Sequence, residues 1–237
     1  MSLSGGNYTQ TRDCFFTSLT INVGITVFQA GFGIWDNGRL TNNGKVSVEG
    51  GPGVSGITAG TGGGSGKSPA AAHFGGGSIG GVSGGSGATM TNCAGGRGGC
   101  LTCPGGDNTC TPPAAQYGLP HDYLRAISGN LPGITSGTLA LQFFLGGTGG
   151  DSFGGGSPYA GGGGGGVGAT TALILAGTGT FSANGGTGSY GGGGGVYILA
   201  YRSKDLFSGT LTANGGLTSV DAGGVNGSAG LVLQFQL

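Results

Sequence analysis

Unbroken runs of glycine restrict what this chain can fold into more than any other feature. Residues 161–166 and 191–195 are all glycine, and 65 of the 237 residues in the chain are glycine. Glycine loses more backbone freedom on folding than any other residue, so ordering this many needs a compensation beyond an ordinary side-chain core. Without side chains, main chains can approach as closely as they do at the axis of collagen. Extended glycine segments make no internal hydrogen bonds, so their N–H and C=O groups must pair with neighbouring segments or with water. The runs alternate with short aliphatic strings, which separates packed glycine structure from a flexible linker. An all-β fold is expected, with β-solenoid or β-sandwich rungs combined with packed polyglycine-II-like segments.

The charge pattern removes one class of partner. Eight basic and eight acidic side chains cancel to a formal charge of zero. The basic ones, Arg12, Arg39, Lys45, Lys67, Arg97, Arg125, Arg202 and Lys204, are scattered singly. Phosphate binding needs a basic surface, so nucleic acid is not an expected partner. Seven Tyr and eleven Phe, with strings of strand formers, set the chain apart from disordered sequences. Residues 1–12 lack the basic run and apolar stretch of a secretory signal. The most apolar windows, 21–32 and 138–145, are interrupted by Thr, Asn and Gly and are shorter than the ~20 residues of a spanning helix. A surface-type composition with no export signal suits release by viral lysis of a host cell.

Three regions follow one another. Residues 1–49 are rich in strand formers, as in Leu19-Thr-Ile-Asn-Val, Ile25-Thr-Val-Phe, Gly33-Ile-Trp, Arg39-Leu-Thr and Lys45-Val-Ser-Val. Their period of two predicts short strands, with Asn37-Gly38 and Asn43-Gly44 as tight turns between them. Residues 50–132 shift to glycine and serine and hold a cysteine-containing excursion, 93–110, and a glycine-poor stretch, 111–125. Insertions of that kind are commonly the working surface of a repeat scaffold. Residues 133–237 contain a repeat. A glycine run, Ala172-Leu-Ile-Leu175 and Gly179-Thr-Phe-Ser-Ala-Asn-Gly-Gly186 are followed by a second run, Val196-Tyr-Ile-Leu199 and Gly209-Thr-Leu-Thr-Ala-Asn-Gly-Gly216. A third copy is expected over 222–237, and Arg39-Leu-Thr-Asn-Asn-Gly44 reads as an earlier relative. Such self-similarity signals one stacked supersecondary unit.

Motifs that carry chemistry are few. Gly64-Ser-Gly-Lys-Ser68 ends like a phosphate loop, but Thr61 stands where that motif requires glycine, and no apolar strand precedes it. Cys93, Cys100, Cys103 and Cys110 are spaced to bring four sulfurs together, and three readings stay open: a structural zinc site, a pair of disulfides, or free thiols. Cys14 has no assigned partner. The two histidines, His73 and His121, and the isolated carboxylates form no acid–base pairing, so no catalytic residues and no cofactor beyond that zinc are expected. Tyr117, Tyr123, Tyr159 and Tyr190 lie in loop or glycine contexts. With His121 and Arg125 they are candidate receptor contacts, the plainer reading being that such tyrosines stack on bare glycine backbone.

A resemblance rests on both ends of the chain. Thr9-Gln-Thr-Arg-Asp-Cys-Phe-Phe16, Gly24-Ile-Thr-Val27, Ala30-Gly-Phe-Gly-Ile34 and Leu40-Thr-Asn-Asn-Gly44, with Leu173-Ile-Leu175 and Thr180-Phe-Ser-Ala-Asn-Gly-Gly186, resemble glycine-rich virion proteins of tailed bacteriophages. The chain is also similar, more loosely, to phage tail-fibre tip adhesins with a sandwich of polyglycine helices. It departs from those adhesins in its aliphatic strands and cysteine cluster. The resemblance implies a non-enzymatic tail fibre, spike or surface-decoration protein. Such a protein is made in the host cytoplasm, is located in the virion, forms a homo-oligomer such as a trimer, and contacts other virion proteins and a host-surface glycan or protein. The rivals are a glycine-rich ice-binding or extracellular-matrix protein and a β-helical polysaccharide depolymerase.

Overall fold

The computed structural model describes residues 2–4, 6–53, 162–188, 191–218 and 226–237. Within them every regular element is a strand: β1 (Ser2–Ser4), β2 (Asn7–Thr9), β3 (Cys14–Ile21), β4 (Thr26–Phe28), β5 (Gly33–Asn42), β6 (Lys45–Ser47), β7 (Val167–Gly177), β8 (Thr180–Ser182), β9 (Val196–Phe207), β10 (Thr210–Thr212) and β11 (Leu231–Gln236). They form two sheets. Short strands make one, in the order β1-β2-β4-β6-β8-β10, and long strands make the other, β11-β9-β7-β5-β3. From β2 onward the chain passes to the opposite sheet at each step, so the order within each sheet is the order in the sequence. β1 and β2 pair antiparallel, and the other pairings are parallel. Residues on either side of 54–161 share both sheets, since β5 pairs with β7 and β6 with β8.

Alternation in the short strands decides which side chains fill the space between the sheets. Lys45-Val-Ser, Thr180-Phe-Ser and Thr210-Leu-Thr align residue for residue. Their central residues, Val46, Phe181 and Leu211, pack with Ile34, Leu40, Leu175, Tyr197 and Leu199 from the long strands. Phe181 is fully buried between the rings of Tyr197, 5.5 Å away centre to centre, and Phe207, at 6.0 Å. Tyr197 keeps its hydroxyl 2.8 Å from that of Thr170, which satisfies a buried polar group inside the core.

Toward the glycine runs the inward side chains shrink and the two layers converge. Along the short-strand layer the row Val46, Phe181, Leu211 gives way to Val48, Ala183, Ala213 and then to Gly50, Gly185, Gly215. Face-packed sheets stand about 10 Å apart. Here the layers close to hydrogen-bonding distance. A continuous path crosses between them at every step: Gly227 N–H donates to Gly216 O, Gly216 to Gly192, Gly192 to Gly186, Gly186 to Gly163 and Gly163 to Gly51, with N···O distances of 2.7–2.9 Å. No side chain fits this approach, since a Cβ on Gly162 would lie 1.9 Å from the carbonyl oxygen of Gly186. All of residues 162–166 and 191–195 are buried. No glycine run precedes β3 or β5, and buried glutamines occupy the corresponding space. Gln29 Nε2 donates to Ala169 O at 2.7 Å, and Gln10 Nε2 to Gly33 O at 3.0 Å.

Several local expectations are corrected. Gly33-Ile-Trp and Arg39-Leu-Thr belong to one strand, β5, and Asn37-Gly38 is a bulge in it rather than a turn, with one extra residue relative to both neighbours. Neither Asn–Gly pair has positive φ. Gly38 is needed for close approach, because a Cβ there would stand 1.9 Å from Thr17 O. Among the described residues positive φ occurs at Gly6, Gly24, Ala30, Gly31, Gly177 and Leu206, between strands or at their ends. The repeat is also offset from the sequence alignment. Val167, not Ala172, faces Val196, and Ala172 faces Tyr201. The structural counterpart of Thr180-Phe-Ser-Ala-Asn-Gly-Gly186 is Lys45-Val-Ser-Val-Glu-Gly-Gly51, while Asn42 sits at the preceding turn, bonded through its carbonyl to Gly179 N.

Candidate functional site

Two side-chain arrays lie on the outer faces of the sheets, and they differ in how far their polar atoms are already engaged. On the short-strand face, Thr180 and Thr210 hydroxyls are 3.1 Å apart, Thr212 Oγ1 donates to Ser182 Oγ at 3.1 Å, and Asn214 N–H donates to Asn184 Oδ1 at 2.7 Å. Glu49 closes this ladder. Its Oε1 accepts from Ser182 Oγ at 2.5 Å and Asn184 Nδ2 at 3.0 Å, while Oε2 pairs with Lys45. These groups satisfy one another between neighbouring strands, which gives cross-strand cohesion.

The long-strand face carries a groove. Phe15, Trp35 and Thr171 stand in register on β3, β5 and β7. The Phe15 and Trp35 rings stack with centroids 6.4 Å apart and planes 22° from parallel. Phe15 is 77% exposed although it is a large apolar residue. The β5 bulge lifts Asn37 into solvent beside these rings, and Leu173 and Leu237 continue the wall, leaving an open groove of about 340 Å³. Arg39 and Asp205, each about half exposed, form an ion pair further along the strands. At that exposure it adds no more than about 1 kcal/mol.

Asp36 anchors the bulge from beneath. Its Oδ1 accepts the Gly38 N–H at 2.7 Å, and Oδ2 is buried with no hydrogen-bond partner among the described residues. Burial pushes its pKa above the ordinary carboxylate value, partly opposed by the Gly38 and Leu19 backbone N–H groups.

The residues singled out from sequence, Cys93, Cys100, Cys103, Cys110, Tyr117, His121, Tyr123, Arg125, Tyr159 and Tyr190, all lie outside the described residues. So do the Gly64–Ser68 string and His73. Cys14 is a half-buried free thiol, its Sγ 3.5 Å from Arg12 O. Among the described residues no three His, Cys, Asp or Glu side chains cluster as metal ligands, and no helix is long and apolar enough to cross a membrane. The groove was not anticipated. The signal available in the sequence is the position of Phe15 and Trp35, each followed by a more buried residue, at equivalent places in two strands that neighbour each other in the sheet. No family model, curated protein or solved structure matches this chain.

Proposed function

We propose that this chain is a non-enzymatic structural protein of a bacteriophage virion, a tail fibre, spike or surface-decoration component that takes part in attachment to the host. In this reading the two sheets are the faces of a parallel β-solenoid whose rungs run on into polyglycine-II-like segments. Chains associate as a homo-oligomer, such as a trimer, through the edges at β10 and β11, which pair with no further strand among the described residues. Their other partners are virion proteins and a host-surface glycan or protein.

The observation that carries this proposal is the hydrogen-bonded path from Gly227 to Gly51, which ties every late rung to the next without side chains. A stack tied through its backbone is stiff, and stiffness suits a part that holds a contact surface away from a particle. Residues 54–161 leave and rejoin this stack at neighbouring points, because Gly163 N–H bonds Gly51 O. That is where a scaffold carries an insertion. The test is adsorption. Excess purified chain should compete with phage particles for host cells, and deleting 111–123 should reduce adsorption while leaving assembly intact. Purified chain that does not slow adsorption refutes the proposal.

The Thr180–Thr210 hydroxyl ladder favours the ice-binding rival, but Lys45 and Glu49 interrupt the flat threonine face such a protein presents. Thermal hysteresis of the purified chain decides that case, and a reducing-sugar assay on host polysaccharide decides the depolymerase.

A further inference from the structure

We propose that the groove on the outer face of β5 and β7 binds pyranose units of a glycan, with Phe15 and Trp35 as the stacking surface and Asn37 as a polar contact. This inference rests on the attachment reading and names the chemistry of one of its contact sites.

Phe16 and Trp35 pack partly against buried clusters, Trp35 against Val167, Ala169, Val196 and Ile198, but three other apolar residues of the groove do not. Phe15, Leu173 and Leu237 are 77%, 40% and 59% exposed. Contiguous apolar side chains left in solvent mark interaction sites. Ring orientation narrows the ligand. Two near-parallel aromatic rings, of which Phe15 is largely exposed, match the flat C–H faces of a sugar ring, while the sugar's hydroxyls point outward toward whatever lines the rim. Asn37 is exposed there and supplies both a donor and an acceptor, and the Thr171 hydroxyl lies across the groove. A mostly apolar lining with a few polar groups at its rim is the usual constitution of a small-ligand site.

Size and backbone pairing argue against a peptide. The groove, at about 340 Å³, is at the small end of the ~300–1,000 Å³ of small-molecule sites, and a helix is ~10–12 Å across. An extended peptide adds to a sheet in the line of its strands through a strand edge, here that of β3 beside the groove, whereas the floor of the groove consists of β5 and β7 paired to each other. Among the described residues no basic side chain lines the groove, and its one acidic residue, Asp36, is buried and engaged with Gly38 N–H, so charge does not select an ion.

Trp35 is the single tryptophan of the chain, so its emission reports the groove directly. The full chain and its Phe15→Ala and Asn37→Ala variants would be applied to a printed array of bacterial-surface oligosaccharides. The strongest array ligand would then be titrated against Trp35 fluorescence. The expected result is binding that shifts Trp35 emission, weakened about tenfold or more by Phe15→Ala, as for a contact aromatic, and less by Asn37→Ala, with circular dichroism unchanged. Three results overturn the proposal. If no oligosaccharide binds while the chain still competes with particles for host cells, attachment stands and the glycan site falls. If oligosaccharides bind both variants as well as the parent, with silent Trp35 emission, the site lies elsewhere. If the chain neither binds the array nor competes, the attachment reading falls with it.

Discussion

Substituting alanine for Gly162 tests whether main-chain contact between the layers holds the stack together. The new methyl carbon would lie 1.9 Å from Gly186 O and 3.0 Å from Gly192 N, the two ends of one hydrogen bond in the cross-layer path. Ordinary non-bonded contact is about 3.5 Å, so the layers would have to part by roughly 1.5 Å. That movement breaks the Gly192-to-Gly186 bond, now 2.9 Å, and stretches the Gly186-to-Gly163 bond, now 2.8 Å. Each buried group left without a partner costs about 1–3 kcal/mol, for a total of about 4 kcal/mol. Against this, alanine restricts the unfolded chain, a gain of about 0.4–1 kcal/mol wherever the native backbone accepts it. The net loss is about 3 kcal/mol. For a chain of this size it corresponds to a fall in melting temperature of about 6–12 °C. Circular dichroism melts of Gly162→Ala beside an exposed neighbour variant, Thr187→Ala, read this out. A melting temperature equal to or above that of the parent would refute the argument, because it would mean that only the usual unfolded-state effect of Gly→Ala is operating.

Three other outcomes follow from the geometry. Phe181→Ala removes a fully buried ring packed on Tyr197 and Phe207 and should cost about 3–5 kcal/mol in denaturant unfolding. Asp36 has a raised pKa in the folded state, so the native protein holds its proton more tightly than the unfolded chain does. Its contribution is therefore fully present below the ordinary value of 3.8 and is lost as pH rises through the raised value. Asp36→Asn, which keeps an acceptor for Gly38 N–H, should abolish that decline when unfolding free energy is measured against pH. Leu206 has φ of 54° and is 88% exposed. Leu206→Asn should stabilise by up to about 1 kcal/mol, because asparagine tolerates the left-handed region better; a loss of stability would contradict this.

Strand content was legible from the period-two alternation of strings such as Lys45-Val-Ser-Val, and the Asn184 and Asn214 correspondence from their spacing of 30 residues, which the structure turns into a hydrogen bond. Less local features were hidden. Asn37-Gly38 has the composition of a hairpin turn, yet β3 and β7 on either side hold β5 straight and convert it to a bulge. Pairing of β5 with β7 and β6 with β8 joins residues far apart in the chain, and no local pattern announces a partner at that distance. The groove is not legible in the sequence because Phe15 and Trp35 look like ordinary strand residues until parallel pairing sets them side by side on the outer face.

One consequence of the buried glycine runs concerns fidelity of assembly. Five identical residues in a row look the same after sliding one step along their neighbours, so residues 191–195 supply cohesion but cannot say where they should stop. Sliding by one step would turn each neighbouring strand inside out. The flanking residues must prevent that slip: Asn184 locked to Asn214, Ser182 to Thr212, and Phe181 seated against Tyr197 act like index marks on an unruled scale. Glue and alignment are thus divided between different residues, and damage to the index marks would yield stacks that cohere in the wrong phase.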